Sequence, residues 1–298
     1  MLDFLEKSSL TTSDFNAEAE FLIPDFLAKN MITMIYADGG NGKSWLGFSL
    51  AKYCASLPSV RVTYLDFDNP LTVLKERQID KQLIEPLSNL LYVQRSKCEM
   101  SPSELLGALQ ANAIGKIYEN HIFIIDSLRD FTDVDNNSRA MVTMEQLKDI
   151  REAGGTLVVL HHSNKDGRNY QGSNNIRNSV DNMFQLRKLE LSSGIGVLLI
   201  CKKERCAIRD KAFDIDPKTF NLTERDVADA KLTQEDVSFV SQVKEALTQQ
   251  GELNKSALLE SCGFTKDDKT ARSRLEKYEN VYWKSEKRHT RIFYTLID

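Results

Sequence analysis

Apolar residues along the chain gather into short unbroken runs separated by helical segments, a pattern of buried strands alternating with helices. Met31-Ile-Thr-Met-Ile-Tyr36, Arg61-Val-Thr-Tyr-Leu-Asp-Phe-Asp68, Leu90 to Gln94, His121-Ile-Phe-Ile-Ile125 and Thr156-Leu-Val-Val-Leu160 read as strands. Strands that are apolar throughout must be covered on both faces, so Phe21 to about Asn221 predicts an α/β fold with a mainly parallel sheet. Ser101-Pro-Ser-Glu104 has the composition of a helix cap. Met183 to Arg187 and Val197 to Cys201 flank Ser192-Ser-Gly-Ile-Gly196, which predicts an antiparallel hairpin ending in Lys202-Lys203-Glu204-Arg205.

The flanks divide the chain further. Residues 1–20 are mostly polar and read as an arm or linker, whose Met1, Leu2, Phe4 and Leu5 could dock on a neighbouring subunit. The core is expected over 21–222, a polar linker over 223–234 and a small second domain over 235–298. In that domain Val237, Val240, Val243 and Leu247 predict an amphipathic helix ended by Gly251. Asn254 caps a second helix with Leu258 and Leu259, and Thr265-Lys-Asp-Asp268 caps a third with Ala271, Leu275 and Tyr278 inward. Val281-Tyr-Trp283 and Arg291 to Leu296 predict a hairpin whose turn carries Lys284, Lys287, Arg288 and His289. Three helices and a basic hairpin resemble a small α+β winged-helix domain. Lys269, Arg272, Lys277, Lys287 and Arg288 are its candidates for contacting a duplex backbone. From Lys231 to Asp298, twelve Lys/Arg against eleven Asp/Glu leave protein contact as the alternative role.

Charge narrows the options. A net charge of −4 over 298 residues excludes a protein coated in basic surface, so nucleic-acid contact must come from local patches. Five scattered cysteines lack metal-ligand spacing and suit a reducing compartment. No run approaches a membrane span and the N-terminus is too polar for a signal peptide, so the expected location is cytoplasmic, without membrane contact.

Chemistry concentrates after the first long strand. Ala37-Asp-Gly-Gly-Asn-Gly42-Lys43-Ser44 has the glycines, lysine and hydroxyl of a phosphate-binding loop, with Ala where the pattern opens on Gly. Gly39, Gly40, Asn41 and Gly42 would present backbone N–H groups to phosphate, Lys43 would hold the β- and γ-phosphates, and Ser44 would ligate Mg²⁺, with Trp45 beside them. Asp126 ends an apolar strand, where a carboxylate holds Mg²⁺ directly or through water. Ile124-Ile-Asp126-Ser alone could be a strand leading into a helix cap. Its pairing with Lys43-Ser44 makes ATP with Mg²⁺ the expected ligand. His161 and His162 close another strand; zinc spacing is absent, and a His there can donate to a γ-phosphate oxygen or simply brace the strand end.

Taken in order, Phe21-Leu-Ile-Pro-Asp-Phe-Leu, the phosphate loop, Tyr64-Leu-Asp-Phe-Asp68-Asn-Pro, Ile124-Ile-Asp126-Ser, His161-His-Ser-Asn-Lys165 with Gly172-Ser173, and Lys203-Glu-Arg205 resemble one family. It is the RecA-type ATPase core of ring-forming helicases, nearest the plasmid RepA group and similar to the DnaB group. The resemblance implies that Asp68 stands where a catalytic glutamate polarises water, one methylene shorter. It implies that His162 senses the γ-phosphate and that Lys203 and Arg205 act as fingers in trans. It also implies that Arg129, Arg139, Lys165 and Arg168 lie on loops lining a pore. The expected protein is a homo-oligomer, a hexamer, with single-stranded DNA in the pore and duplex at the winged helix. It would be an ATP-dependent DNA helicase or translocase replicating a plasmid, phage or other mobile element. The alternative is a non-translocating DNA-binding ATPase switch, a replication regulator or loader.

Overall fold

The computed structural model describes residues 9–12, 19–164, 167, 169–191 and 193–297. Met1, Leu2, Phe4 and Leu5 of the expected N-terminal arm, and Lys165 and Arg168, lie outside the described residues. The chain divides into two compact units, Met1–Arg225 and Asp226–Asp298.

A small ribbon of β1 (Phe21–Ile23) and β2 (Leu27–Ala28) opens the first unit. There follow β3 (Ile32–Ala37), α1 (Lys43–Ala55), β4 (Arg61–Asp66), α2 (Leu71–Glu76), β5 (Leu90–Gln94), α3 (Pro102–Ala111) and β6 (His121–Asp126). Then come α4 (Leu128–Phe131), α5 (Asn137–Glu152), β7 (Thr156–His162), α6 (Asn174–Ser179), β8 (Asn182–Leu189), β9 (Ile195–Lys203), β10 (Lys211–Ile215) and β11 (Leu222–Arg225). Nine strands form one sheet in the order β11-β10-β9-β8-β3-β7-β6-β4-β5. From β5 to β8 all pairings are parallel, and β8 to β11 continue as an antiparallel meander.

Both faces of the sheet are covered, which is why its strands read as continuous apolar runs. Successive residues of β3 go to opposite cores: Ile35 and Ala37 join Phe48, Tyr64 and Leu160, while Met34 and Tyr36 join Phe123, Leu147 and Val159. The cap at Ser101 is a reciprocal box, Ser101 accepting from the Glu104 N–H at 3.3 Å and Glu104 accepting from the Ser101 N–H at 2.8 Å.

The second unit contains α7 (Val227–Ala230), α8 (Gln234–Gln250), β12 (Leu253–Asn254), α9 (Lys255–Ser261), α10 (Lys269–Lys277), β13 (Trp283–Arg288) and β14 (Arg291–Leu296). Its strands form a separate antiparallel sheet, β12-β14-β13. Its own core gathers Phe239, Val243, Leu258, Leu275, Trp283 and Tyr294. Asn254 and Asp268 cap α9 and α10, accepting from the N–H groups of Ala257 at 3.1 Å and Ala271 at 2.9 Å.

Three local expectations are corrected. Residues 223–234, expected as a linker, contain most of edge strand β11 and helix α7; cross-strand ion pairs Arg225–Asp214 (2.8 Å) and Lys211–Glu224 (2.5 Å) fasten β11, whose single apolar residue is Leu222. Val237 is half exposed, and Phe239 and Val240 take the inward stripe of α8. Lys284, Lys287 and Arg288 belong to β13 rather than a turn, because backbone pairing from Trp283↔Leu296 to Arg288↔Arg291 carries the strand through a polar run.

Candidate nucleotide site

The phosphate loop leaves the carboxyl end of β3 and enters α1. Gly40 (φ 75°) and Gly42 (φ 92°) hold left-handed backbone that a side chain would strain. A Cβ added at Gly39 or Gly40 would meet nothing within 4 Å, so the concave side of the loop is open space. The Asp38 carboxylate accepts from the Gly39 N–H at 2.8 Å, an anionic oxygen already occupying a donor that a phosphate oxygen would use. Lys43, 7% exposed, folds back to donate to the carbonyls of Ala37 and Asp38, both at 2.9 Å. Burial pushes its pKa down, against the pull of Asp126, Asp68 and Asp38. A dianionic ligand would restore that compensation.

Ser44 and Asp126 come from separate segments and meet: the Ser44 hydroxyl hydrogen-bonds the Asp126 carboxylate, which also accepts from Tyr64 Oη at 3.0 Å. Burial, with the charge of Asp66, pushes Asp126 up to about 7 despite those bonds. A carboxylate so destabilised as an anion, touching a serine hydroxyl beside a phosphate loop, is a donor set that fits Mg²⁺. The residues present therefore fit a magnesium nucleotide.

Asp66, fully buried at the end of β4, is a carboxylate that nothing in the sequence singled out. It accepts from the N–H groups of Asn69 at 2.9 Å and Asp68 at 3.3 Å, from the Asn69 amide at 3.1 Å, and from Tyr92 Oη. This fixes the turn on which Asp68 stands. Asp68 itself, 29% exposed, is ion-paired with Arg129 at 3.0 Å.

The two histidines separate in role. His161 is fully buried and Nε2–H donates to the Gln171 carbonyl at 2.7 Å, which makes it a brace. His162 keeps a buried Nε2 without a partner among the described residues, and burial, with the charges of Lys43 and Arg129, pushes it down to about 4. A neutral imidazole with an unused nitrogen beside Lys43 is free to bond a ligand oxygen.

Trp45 packs against Phe220 and Phe48, with the Arg77 guanidinium 4.9 Å above its ring. Trp45 and Arg77 border a cavity of about 710 Å³ that Gln78, Pro217, Lys218 and Thr219 also line. Nothing in the sequence singled out Arg77, whose partners Trp45, Phe48 and Asn69 are brought to it by the fold.

Lys203 and Arg205 are not brought to this cluster. The hairpin turns between Leu189 and Ile195, on the phosphate-loop side, where a Gly42 Cβ would lie 3.6 Å from Ile195. Lys203 pairs with Met183 at the opposite sheet edge, so the expectation of cations at the hairpin tip is corrected. Lys203 donates to the carbonyls of Arg177 (2.7 Å), Asn178 (3.3 Å) and Val180 (2.6 Å), and Arg205 pairs with Asp181 at 3.1 Å. Arg139, exposed in the first turn of α5, lies 3.9 Å from Asp133.

A model of the AAA domain family matches residues 8–168, more than half the chain. The chain belongs to that family. Membership supports nucleotide binding and ATPase activity, in keeping with the open loop, the folded-back Lys43 and the Ser44–Asp126 contact. The crystal structure of the flagellar accessory protein FlaH from Methanocaldococcus jannaschii resembles this chain at 17% identity and a TM-score of 0.47, over 73% of this chain and 97% of that one. A comparison with curated proteins gives no match. No helix among the described residues is long and apolar enough to cross a membrane.

Proposed function

We propose that this AAA domain protein is an ATP-driven, ring-forming DNA translocase or helicase serving replication of a mobile element. The observation carrying the ATPase part is the Ser44–Asp126 hydrogen bond beside Lys43, two segments 82 residues apart converging on one metal-and-phosphate position. Ser44 and Asp126 would hold Mg²⁺, which offsets phosphate charge when bound. The phosphate loop and Lys43 bind the triphosphate, the Trp45–Arg77 cavity takes the base, Asp68 aligns the attacking water, and His162 bonds the γ-phosphate.

Support for DNA as partner comes from the helix–strand–helix–helix–strand–strand order over 234–296, which suits a winged helix. ATPases of this kind often oligomerise and bind nucleic acid, and a closed head-to-tail ring would bring Arg205 of one subunit to the nucleotide of the next. A second reading, the non-translocating ATPase switch, is favoured by Lys203 being tied within its own subunit. Measuring ATP turnover with and without single-stranded DNA, together with strand separation on a forked duplex, separates them. Stimulated turnover with separation supports the helicase. Turnover without separation supports the switch, and no turnover removes both.

A further inference from the structure

We propose that Arg129 is a catalytic residue of its own subunit's site, a guanidinium that Asp68 holds until the γ-phosphate arrives and that then bridges the two. This rests on the ATPase reading above. Leu128 and Phe131 anchor the short helix α4 in the core, two residues beyond Asp126. Between them Arg129 keeps a side chain 48% exposed and reaches back across 61 residues of sequence to Asp68.

The other cations nearby are spoken for. Arg77 lies over Trp45 and donates to Asn69 at 3.4 Å; Arg95 faces Asp130 at 3.8 Å; Lys203 and Arg205 sit at the opposite sheet edge. The charges of Arg129 and Lys43 both act on His161 and His162. Arg129 therefore touches the carboxylate and stands within electrostatic reach of the lysine and the imidazole that the reaction would use.

A guanidinium carries five N–H donors in a planar fork, and Asp68 takes one of them at 3.0 Å. The remaining donors can hold a γ-phosphoryl oxygen while the first still orients the carboxylate. In hydrolysis the water oxygen bonds to Pγ, and the bond from Pγ to the β,γ-bridging oxygen breaks with its electron pair going to ADP. The water proton passes to Asp68 and from there to the released inorganic phosphate. Charge on the equatorial oxygens is what Arg129 stabilises.

The test uses full-length Arg129→Ala and Arg129→Lys. We expect MgATP turnover to fall ~10³-fold or more in Arg129→Ala, as for an arginine acting in cis or trans on this chemistry, with partial recovery in Arg129→Lys. Affinity for MgATPγS should weaken while affinity for MgADP stays within about twofold, since a residue that meets only the γ-phosphate contributes nothing to ADP. Mixing Arg129→Ala subunits with Lys43→Ala subunits should leave hydrolysis absent, because no site then holds both groups. Unchanged turnover, faster turnover or recovery on mixing would each overturn the proposal, the second making Arg129 a brake and the third a residue acting in trans. If wild type hydrolyses ATP while Arg129→Ala matches it, this inference alone fails. If wild type binds no nucleotide, the ATPase reading fails with it.

Discussion

Asp66 and Asp68 stand two residues apart on one strand end, yet their surroundings give them different work. Asp66 spends its lone pairs on Asn69, the Asp68 N–H and Tyr92, while Asp68 faces outward to Arg129. The sequence shows both carboxylates but not which is buried, because Tyr92 lies 26 residues away and Arg129 lies 61 away. Asp66→Ala should leave the Tyr92 hydroxyl and the Asn69 N–H without their acceptor. The expected cost is about 1–3 kcal/mol of stability, with turnover falling further than nucleotide affinity as the Asp68 turn loosens. Urea unfolding beside steady-state kinetics reads both, and normal turnover in the variant would remove Asp66 from the support of Asp68.

His161 makes a second argument at this scale. Burial holds its pKa near 4, against 6.5 for an ordinary histidine, and the Gln171 carbonyl only partly opposes this. The folded state thus binds fewer protons than the unfolded chain between those values, so its contribution is complete above about pH 6.5 and is lost as pH falls toward 4. The slope is up to ~1.4 kcal/mol per pH unit. Asp126, raised to about 7 by burial, works in the opposite sense over the same window. A direct comparison of urea midpoints at pH 7.5, 6.5 and 5.5 should show a shallower loss in His161→Gln than in wild type. Parallel slopes would mean that His161 is not desolvated as described.

At the scale of elements, signals carried within one turn were legible and those carried by partners were not. The Ser101–Glu104 box and the caps at Asn254 and Asp268 each depend on residues three apart. Strand β11 and all of β13 beyond Trp283 were missed because residues 223–225 and 284–288 are polar. An edge strand needs only a neighbour's backbone, which β10 and β14 supply. The same blindness affects the basic surface of the second unit. Lys277 is paired with Asp236 at 3.0 Å, Arg288 with Glu252 at 2.7 Å, and Arg272 lies 3.7 Å from Asp267. Among the described residues no carboxylate pairs with Lys269, Lys284, Lys287 or Arg291. If this unit binds duplex DNA, those four should dominate. Lys269→Ala and Lys287→Ala should each reduce the slope of log affinity against log salt by roughly 0.9, whereas Lys277→Ala and Arg288→Ala should change it less. Equal effects from all four would show that the ion pairs do not persist on DNA.

Across the whole molecule, the parallel sheet fixes which groups can share a site and which cannot. Ile195 lies by the phosphate loop and Lys203 ends the same strand eight residues on, roughly 26 Å away at ~3.3 Å per residue. Neither Lys203 nor Arg205 can then serve its own nucleotide. Their local bonds also separate them. Lys203 closes three carbonyls at the end of α6 and behaves as a brace. Arg205 shares Asp181 with Arg151, whose guanidinium approaches both carboxylate oxygens at 2.8 and 2.9 Å, and with the Ile32 N–H at 2.8 Å. Asp181 would therefore remain satisfied if Arg205, 54% exposed, were to leave; such exposed pairs hold by about 0–1 kcal/mol. Arg205 is thus the cation a neighbouring subunit could borrow. Arg205→Ala should retain nucleotide binding and fold stability but lose turnover by about 10³-fold or more. Mixing it with Lys43→Ala subunits should restore hydrolysis at interfaces that pair an intact phosphate loop with an intact Arg205. Mixed assemblies that form without regaining activity, or an Arg205→Ala protein with full turnover, would rule out this residue as a finger in trans.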